Sequence, residues 1–177
     1  MSSFRLLGVN ITNDLKWKEH TDSMCSKANT RIYFLKRLRR SGLTTEELIK
    51  YYITYIRPVV EYACQAWHGS LTGGQCRQVE QIQKRSLRII HPDMTYDDAL
   101  ASCKLVSLED RRESLCKKLF NQIRDSNHKL NYLVPIIEER PPVKYNLRHP
   151  RQEQTIKCRT GRAEHSFIYH CAKNYLF

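Results

Sequence analysis

The chain has 177 residues, 41 % hydrophobic and 27 % charged, enough for one domain with a buried core. Six Gly and six Pro are about half the usual ~12 % share, which favours long helices over a turn-rich β-sandwich. No stretch approaches ~18 uncharged apolar residues, so no membrane span is expected, and 30 Lys and Arg against 18 Asp and Glu give a net charge of +12 that favours an anionic partner, nucleic acid ahead of a membrane surface.

Residues 4–12, FRLLGVNIT, read as a single strand closed by Asn13-Asp14. One short strand is not stable alone, and the chain offers few partners, so it is expected as an orphan. Residues 17–40 read as a helix, with Cys25, Ala28, Ile32, Leu35 and Leu38 at spacings of three and four. Lys36, Arg37 and Arg40 fall on its other side, and Ser41-Gly42 stops it. Thr44 to Glu47 caps a second helix with Ile49, Ile53, Ile56, Val60, Ala63 and Trp67. It is apolar on most sides and therefore central. Pro58 predicts a kink or two abutting helices.

Gly73-Gly74 separates this from a helix over 75–91. Val79, Ile82, Ser86 and Ile90 share one side, while Arg77, Lys84 and Arg88 fall within about 40° of one another on the opposite side. Arg85 flanks them. Thr95 opens a short helix through Leu105, and Ser107 opens another to about Asp125. Leu130 to Ile137 adds a further turn. Beyond Glu138 the chain becomes Pro-interrupted and basic. There 143–148 and 154–158 are candidate short strands and 164–176 a final helix.

Seven Cys stand without a CxxC pair or a signal-peptide layout at MSSFRLLGVN. This predicts an intracellular protein, nuclear or cytoplasmic, with mostly buried thiols. Cys25 and Cys116 sit at apolar helical positions, where Cys acts as a small hydrophobe.

The order of motifs resembles the C-terminal part of a LINE-type (non-LTR) retrotransposon reverse transcriptase. Leu7-Gly8-Val9, Ile11, Leu15, Trp17 and His20 match the strand-turn-helix that follows the palm in that family. IRPVVEYACQAWH at 56–68, QKRSLRII at 83–90 and LVSLEDRRESLCKKLF at 105–120 match its helical thumb. YNLR at 145–148 and CRTGRAEHSF at 158–167 match a tail found in one animal lineage of these elements. The resemblance implies a thumb that grips a template–primer duplex. The YxDD loop and upstream Asp that hold the two catalytic metals in that family precede the Leu-Gly-Val strand and so fall outside these residues. The missing palm is then an implied partner. The first forty residues are also similar to the N-terminal segment of an AlkB-type homologue, a dioxygenase- and methyltransferase-associated family.

Several constellations imitate catalytic sites and carry a plainer reading. Tyr96-Asp97-Asp98 imitates YxDD, yet Thr95 before it and Ala99-Leu100 after it make it a helix cap. His20-Thr21-Asp22 imitates the HxD of an iron dioxygenase, with His68 or His91 as distal ligand, but a facial triad needs a β-barrel to converge its ligands. Cys158, His165, His170 and Cys171 are zinc-ligand types without CxxC spacing. Cys64 and His68 stand four apart, a nucleophile–base spacing also common by chance in a buried helix. Tyr51, Tyr52, Tyr55 and Tyr62 suit base stacking or, more simply, core.

The expectation is a mainly α fold: an N-terminal strand segment over 1–16, a thumb-like helical bundle over 17–137, and an irregular α+β tail over 138–177. Function is expected to be low-specificity binding of a nucleic-acid backbone (RNA, DNA or hybrid), with Arg77, Lys84, Arg85 and Arg88 on phosphates and Lys36, Arg37 and Arg40 extending the surface. Glu80 is the one residue of its helix that can neutralise the stripe. No catalytic residue, metal or cofactor is expected. The alternatives are a helical fragment that packs on a protein partner or is non-functional, and, least favoured, a metal-dependent enzyme.

Overall fold

The computed structural model describes residues 3–135 and 158–176. The candidate strand at 143–148 lies outside them, as does that at 154–158 except for its last residue, Cys158. The fold is mainly α, with one small sheet. The N-terminal segment is a hairpin rather than a single strand. β1 (Ser3–Leu6) pairs antiparallel with β2 (Val9–Thr12), Phe4 opposite Ile11 and Leu6 opposite Val9. The two-residue turn has φ +46° at Leu7 and +86° at Gly8, the doubly left-handed geometry whose twist matches a hairpin. The strand thus finds its partner within its own nine residues. Gly8 faces the Tyr62 ring, and the Tyr62 hydroxyl donates to the Leu7 carbonyl at 2.7 Å.

Helix α1 (Lys18–Arg40) buries Met24, Cys25, Ala28, Ile32 and Leu35. It ends at Gly42 (φ +86°), with Leu43 N–H reaching Leu38 O and Gly42 N–H reaching Arg39 O. This is the Schellman closure that glycine after the last turn favours. A capping box between Thr44 and Glu47 opens α2 (Thr45–Tyr51). The next five residues, Tyr52–Ile56, form a π turn, and α3 (Arg57–Glu61) follows. Pro58 has no N–H and its ring clashes with the carbonyl four residues back; widening the preceding turn accommodates both defects. A second break was not apparent from sequence. Ala63 adopts φ +51°, separating α3 from α4 (Cys64–Trp67).

Helix α5 (Gly73–Ile90) begins earlier than the sequence suggests. Thr72 and Gln75 form a capping box, so Gly73 and Gly74 lie in the first turn instead of separating helices. Its buried side carries Val79, Ile82, Ser86, Leu87 and Ile90. It packs alongside α1 in the same direction: Gln78 meets Asp22, Arg85 meets Asn29, and Arg39 reaches the Ile89 carbonyl. The helices α6 (Tyr96–Ser102) and α7 (Leu108–Ile123) follow, capped by Thr95 and Ser107. The predicted extra turn after Leu130 is a short 3-10 segment, Asn131–Leu133.

Leu35, Ile56, Val60 and Trp67 are fully enclosed, as the apolar pattern requires, and Ile53 is half-buried. The tail ends in α8 (Gly161–Glu164) and α9 (Phe167–Tyr175). The last helix packs on α7, where Cys116, Phe120, Cys171 and Ala172 make a second, smaller core. Among the described residues no helix is long and apolar enough to cross a membrane.

Candidate nucleic-acid interface

The outward face of α5 follows from its inward one. With Val79, Ile82, Ser86 and Ile90 packed inside, Arg77, Lys84 and Arg88 point about 180° away, and all three are exposed. Arg85 lies at the rim, its Nη1 donating to Asn29 Oδ1 at 2.8 Å. Lys36 and Arg40 stand on the same side of α1 as Asn29, about two and three turns further along the edge that meets α5. Arg37 is a quarter-turn or more away. Its guanidinium lies 6.0 Å from the Tyr33 ring, and its Nη1 is 3.4 Å from the Tyr33 hydroxyl. The structure therefore places Arg77, Lys84 and Arg88 on the outer face of α5, with Lys84 turned toward α6, places Arg85, Lys36 and Arg40 along the edge where α1 meets α5, and turns Arg37 aside.

None of the seven forms an ion pair among the described residues. Glu80, the acid in the same helix, does not neutralise them. Its Oε1 accepts from the Tyr96 hydroxyl and from Leu108 N–H at 3.2 Å, which turns the carboxylate toward α6 and α7. Lys84 instead sits 4.9 Å from the centre of the Tyr96 ring, a cation–π placement. Burial and the Glu80 hydrogen bond hold the Tyr96 phenol protonated, well above its ordinary range. A groove beside the stripe is lined by Arg77, Lys84, Glu80 and Glu109. Glu109 shares it without reaching either cation.

Behind the stripe a buried amide fixes the register of α5. Gln83 accepts from the Tyr52 hydroxyl at 2.5 Å and donates to Val106 O at 2.8 Å and to the Tyr96 oxygen at 3.1 Å. A fully satisfied buried group of this kind resists rotation of the helix that carries it. It was not singled out in the sequence, where a Gln between Ile82 and Lys84 looks like an exposed position.

The other constellations resolve into structural roles or separate. Thr95 accepts from Asp98 N–H and donates to Asp98 Oδ2 at 2.6 Å, so Asp97-Asp98 open α6 as a cap. His20 is buried between Trp17 and Trp67, whereas Asp22 is exposed and engaged by Gln78. Cys64 is buried, and both ring nitrogens of His68 are directed elsewhere: Nε2 to Glu113 at 2.8 Å, Nδ1 to Arg112 Nε at 3.4 Å. Of the tail quartet, Cys171 is buried against α7, His170 approaches Glu113, and the His165 carbonyl accepts from Ser70. Among the described residues no group of three His, Cys, Asp or Glu is arranged to hold a metal. The tyrosines divide. Tyr52 is core and Tyr51 half-buried, but Tyr55 and Tyr62 are exposed, so the expectation of four core rings is corrected.

One polar cluster was not anticipated. Glu113 of α7 accepts from the Tyr175 hydroxyl, bonds His68 at 2.8 Å and lies 3.4 Å from His170. Arg112 beside it is fully buried, 5.8 Å from the Trp67 ring centre, with both terminal nitrogens unpartnered. Burial and the neighbouring Arg112 charge lower the proton affinity of His68 despite Glu113. Burial raises the Glu113 carboxyl, but the hydrogen bonds from Tyr175, His170 and His68 outweigh it and hold the group below its ordinary range.

No protein-family model matches the chain, and no curated protein or solved structure shows significant similarity to it.

Proposed function

We propose that this chain binds the phosphate backbone of a nucleic-acid duplex across the outer face of α5 and its edge with α1, as the thumb of a non-LTR retrotransposon reverse transcriptase does. The observation that carries this reading is a run of cations without acids to match. Arg77, Lys84 and Arg88 on the outer face of α5 and Arg85, Lys36 and Arg40 on its edge with α1 pair with no carboxylate among the described residues, while Glu80 is committed to Tyr96 and Leu108. Like charges held on rigid helices repel, and a polyanion relieves that repulsion. Such contacts position a duplex without reading bases, so sequence specificity is low. In this reading the unit supplies grip and no chemistry of its own.

The second reading, a helical unit that packs on a protein partner, is favoured by Tyr33 and Phe34, adjacent exposed rings on α1 in edge-to-face contact at 5.7 Å.

The test is salt dependence. Each phosphate contact adds roughly 0.9 to the slope of log affinity against log salt for B-form DNA. Changing Arg77, Lys84 and Arg88 to Gln should flatten the slope by about 2.7 while helicity holds, since Gln is a good helix former. The control changes Lys118, Arg124 and Lys129 to Gln, three exposed cations away from this edge. Equal losses from both triples would show a bulk-charge effect and sink the reading. Duplex affinity in neither wild type nor variant, with Tyr33→Ser/Phe34→Ser abolishing association with a protein, would favour the second.

A further inference from the structure

A second cationic feature lies on the other side of α1. Asp22 and Asn29, which meet α5, stand about 180° around the helix from Lys27 and Arg31. There the hairpin, α1 and the start of α3 enclose a cavity of about 340 Å³. That is near the lower end of the ~300–1,000 Å³ range of small-molecule sites. Its apolar wall includes Met24 and Val59, and its charged lining is Arg5 from β1 with Lys27 and Arg31 from α1. No carboxylate lines it. None of the three cations forms an ion pair among the described residues. Among the described residues Arg31 is oriented by one side-chain hydrogen bond, from Nη1 to the Tyr55 carbonyl.

A buried histidine forms part of the wall. His20 lines the same cavity and is 94 % buried, being 6 % exposed. Its Nδ1 accepts from Asn10 N–H at 3.4 Å, and its Nε2 has no partner. Burial and the nearby Lys27 charge lower its proton affinity, so the ring is neutral. With Nδ1 accepting, the single ring proton resides on Nε2. The Nε2 atom itself is enclosed, with less than 1 Å² of accessible surface, so it offers no donor to a ligand in the cavity and the ring serves there as a neutral wall. Ser23, also in the lining, adds a hydroxyl donor.

We propose that this cavity binds a terminal phosphate whose organic body rests on the apolar wall. Arg5, Lys27 and Arg31 supply the charge, and Ser23 supplies a neutral donor. A phosphomonoester suits this set better than a carboxylate, because its three terminal oxygens accept from donors arriving from the hairpin and from α1 together. The phosphate can belong to a free nucleotide or to the 5′ end of a strand. The proposal does not depend on the α5 stripe.

Titration with adenosine 5′-monophosphate, adenosine and inorganic phosphate tests it. The monophosphate should bind one-to-one, adenosine at least about tenfold more weakly, which is the worth of one charge-assisted hydrogen bond. Lys27→Gln should lose about tenfold in affinity for the monophosphate, and Arg77→Gln/Arg88→Gln should lose nothing. Lys27 is exposed and makes no side-chain hydrogen bond among the described residues, so its replacement leaves the fold intact. The ring signals of His20, which lines the cavity, should move on saturation with the monophosphate and stay unmoved with adenosine. Competition by a 5′-phosphorylated single strand, but not by its 5′-hydroxyl form, identifies a strand end as the source; failure of both to compete identifies the free nucleotide. Equal binding of adenosine and its monophosphate, no binding of either, or an undiminished affinity in Lys27→Gln overturns the proposal.

Discussion

Trp67 shows how much one side chain settles. It is fully enclosed, its Nε1 donates to Tyr62 O at 3.1 Å, and His20 and Arg112 pack against its ring at 5.6 Å and 5.8 Å. It thereby joins the left-handed break at Ala63, helix α1 and helix α7. Trp67→Ala removes the largest buried side chain and leaves a cavity that rigid neighbours on three elements cannot close, so a loss of ~3–5 kcal/mol is expected in denaturant melts. A loss below ~1 kcal/mol would mean the elements do not converge on this ring. Arg112 shows the opposite economy. A buried guanidinium with two unpartnered nitrogens is a destabilising feature in itself, tolerated because its stem and face pack on the indole and its Nε meets His68. Nothing in the run LEDRRESL distinguishes Arg112, enclosed, from Arg111, which is paired with Glu61 at 2.5 Å. One helical position, about 100° of rotation, separates the two fates.

At the scale of elements, legibility in the sequence tracks periodicity. Helices α1, α5 and α7 were readable because their apolar residues recur every three or four positions, and α2, α6 and α7 because Thr44, Thr95 and Ser107 announce their starts. The hairpin was not readable: its turn lies inside an apolar run, with Leu7 in a left-handed conformation that favours Gly or Asn. The left-handed residues Trp17, which is buried, and Ala63, which is partly buried, are similarly silent, since neither residue type favours that conformation. For the candidate interface, the stripe was legible as a wheel pattern, but the Glu80 partners Tyr96 and Leu108 and the divergence of Arg37 toward Tyr33 were not, because they depend on neighbouring side chains. The docking of α9 depends on one such hidden detail. A Cβ at Gly69 would come within 2.8 Å of the His170 ring and 3.1 Å of the His165 carbonyl. Gly69→Ala should therefore lift α9 off the 3-10 turn at His68–Ser70, raising amide exchange across Phe167–Tyr175 while α1 and α5 remain protected. Unchanged exchange in α9 would show that the close approach is not needed for docking.

Over the whole molecule, acid should act through the polar cluster that ties the tail to the bundle. Its members lie 45, 57 and 62 residues from Glu113, so no local pattern discloses it. His68 faces Glu113 and His170 on one side and the buried Arg112 on the other. Its folded-state proton affinity lies below the ordinary value of 6.5, chiefly through burial and then through Arg112. Between that value and the lower folded one, the unfolded chain binds more protons, so stability is present above pH 6.5 and is lost as pH falls below it. Burial shifts His20 in the same direction. Glu113, held below its ordinary 4.5, adds a further loss in more acidic solution. Melting temperature should accordingly fall from pH 7.5 to pH 5, and a change of about 1 kcal/mol is readable as roughly 2–4 °C in a chain of this size. His68→Gln keeps an acceptor for Arg112 and a donor for Glu113 but cannot titrate. Its melting temperature should therefore fall less steeply with acid than that of the wild type, even where its value at pH 7.5 is lower. Identical slopes would take the acid sensitivity away from His68 and leave it to His20 and Glu113, whereas a melting temperature that rises on acidification would contradict the burial of a neutral His68 altogether.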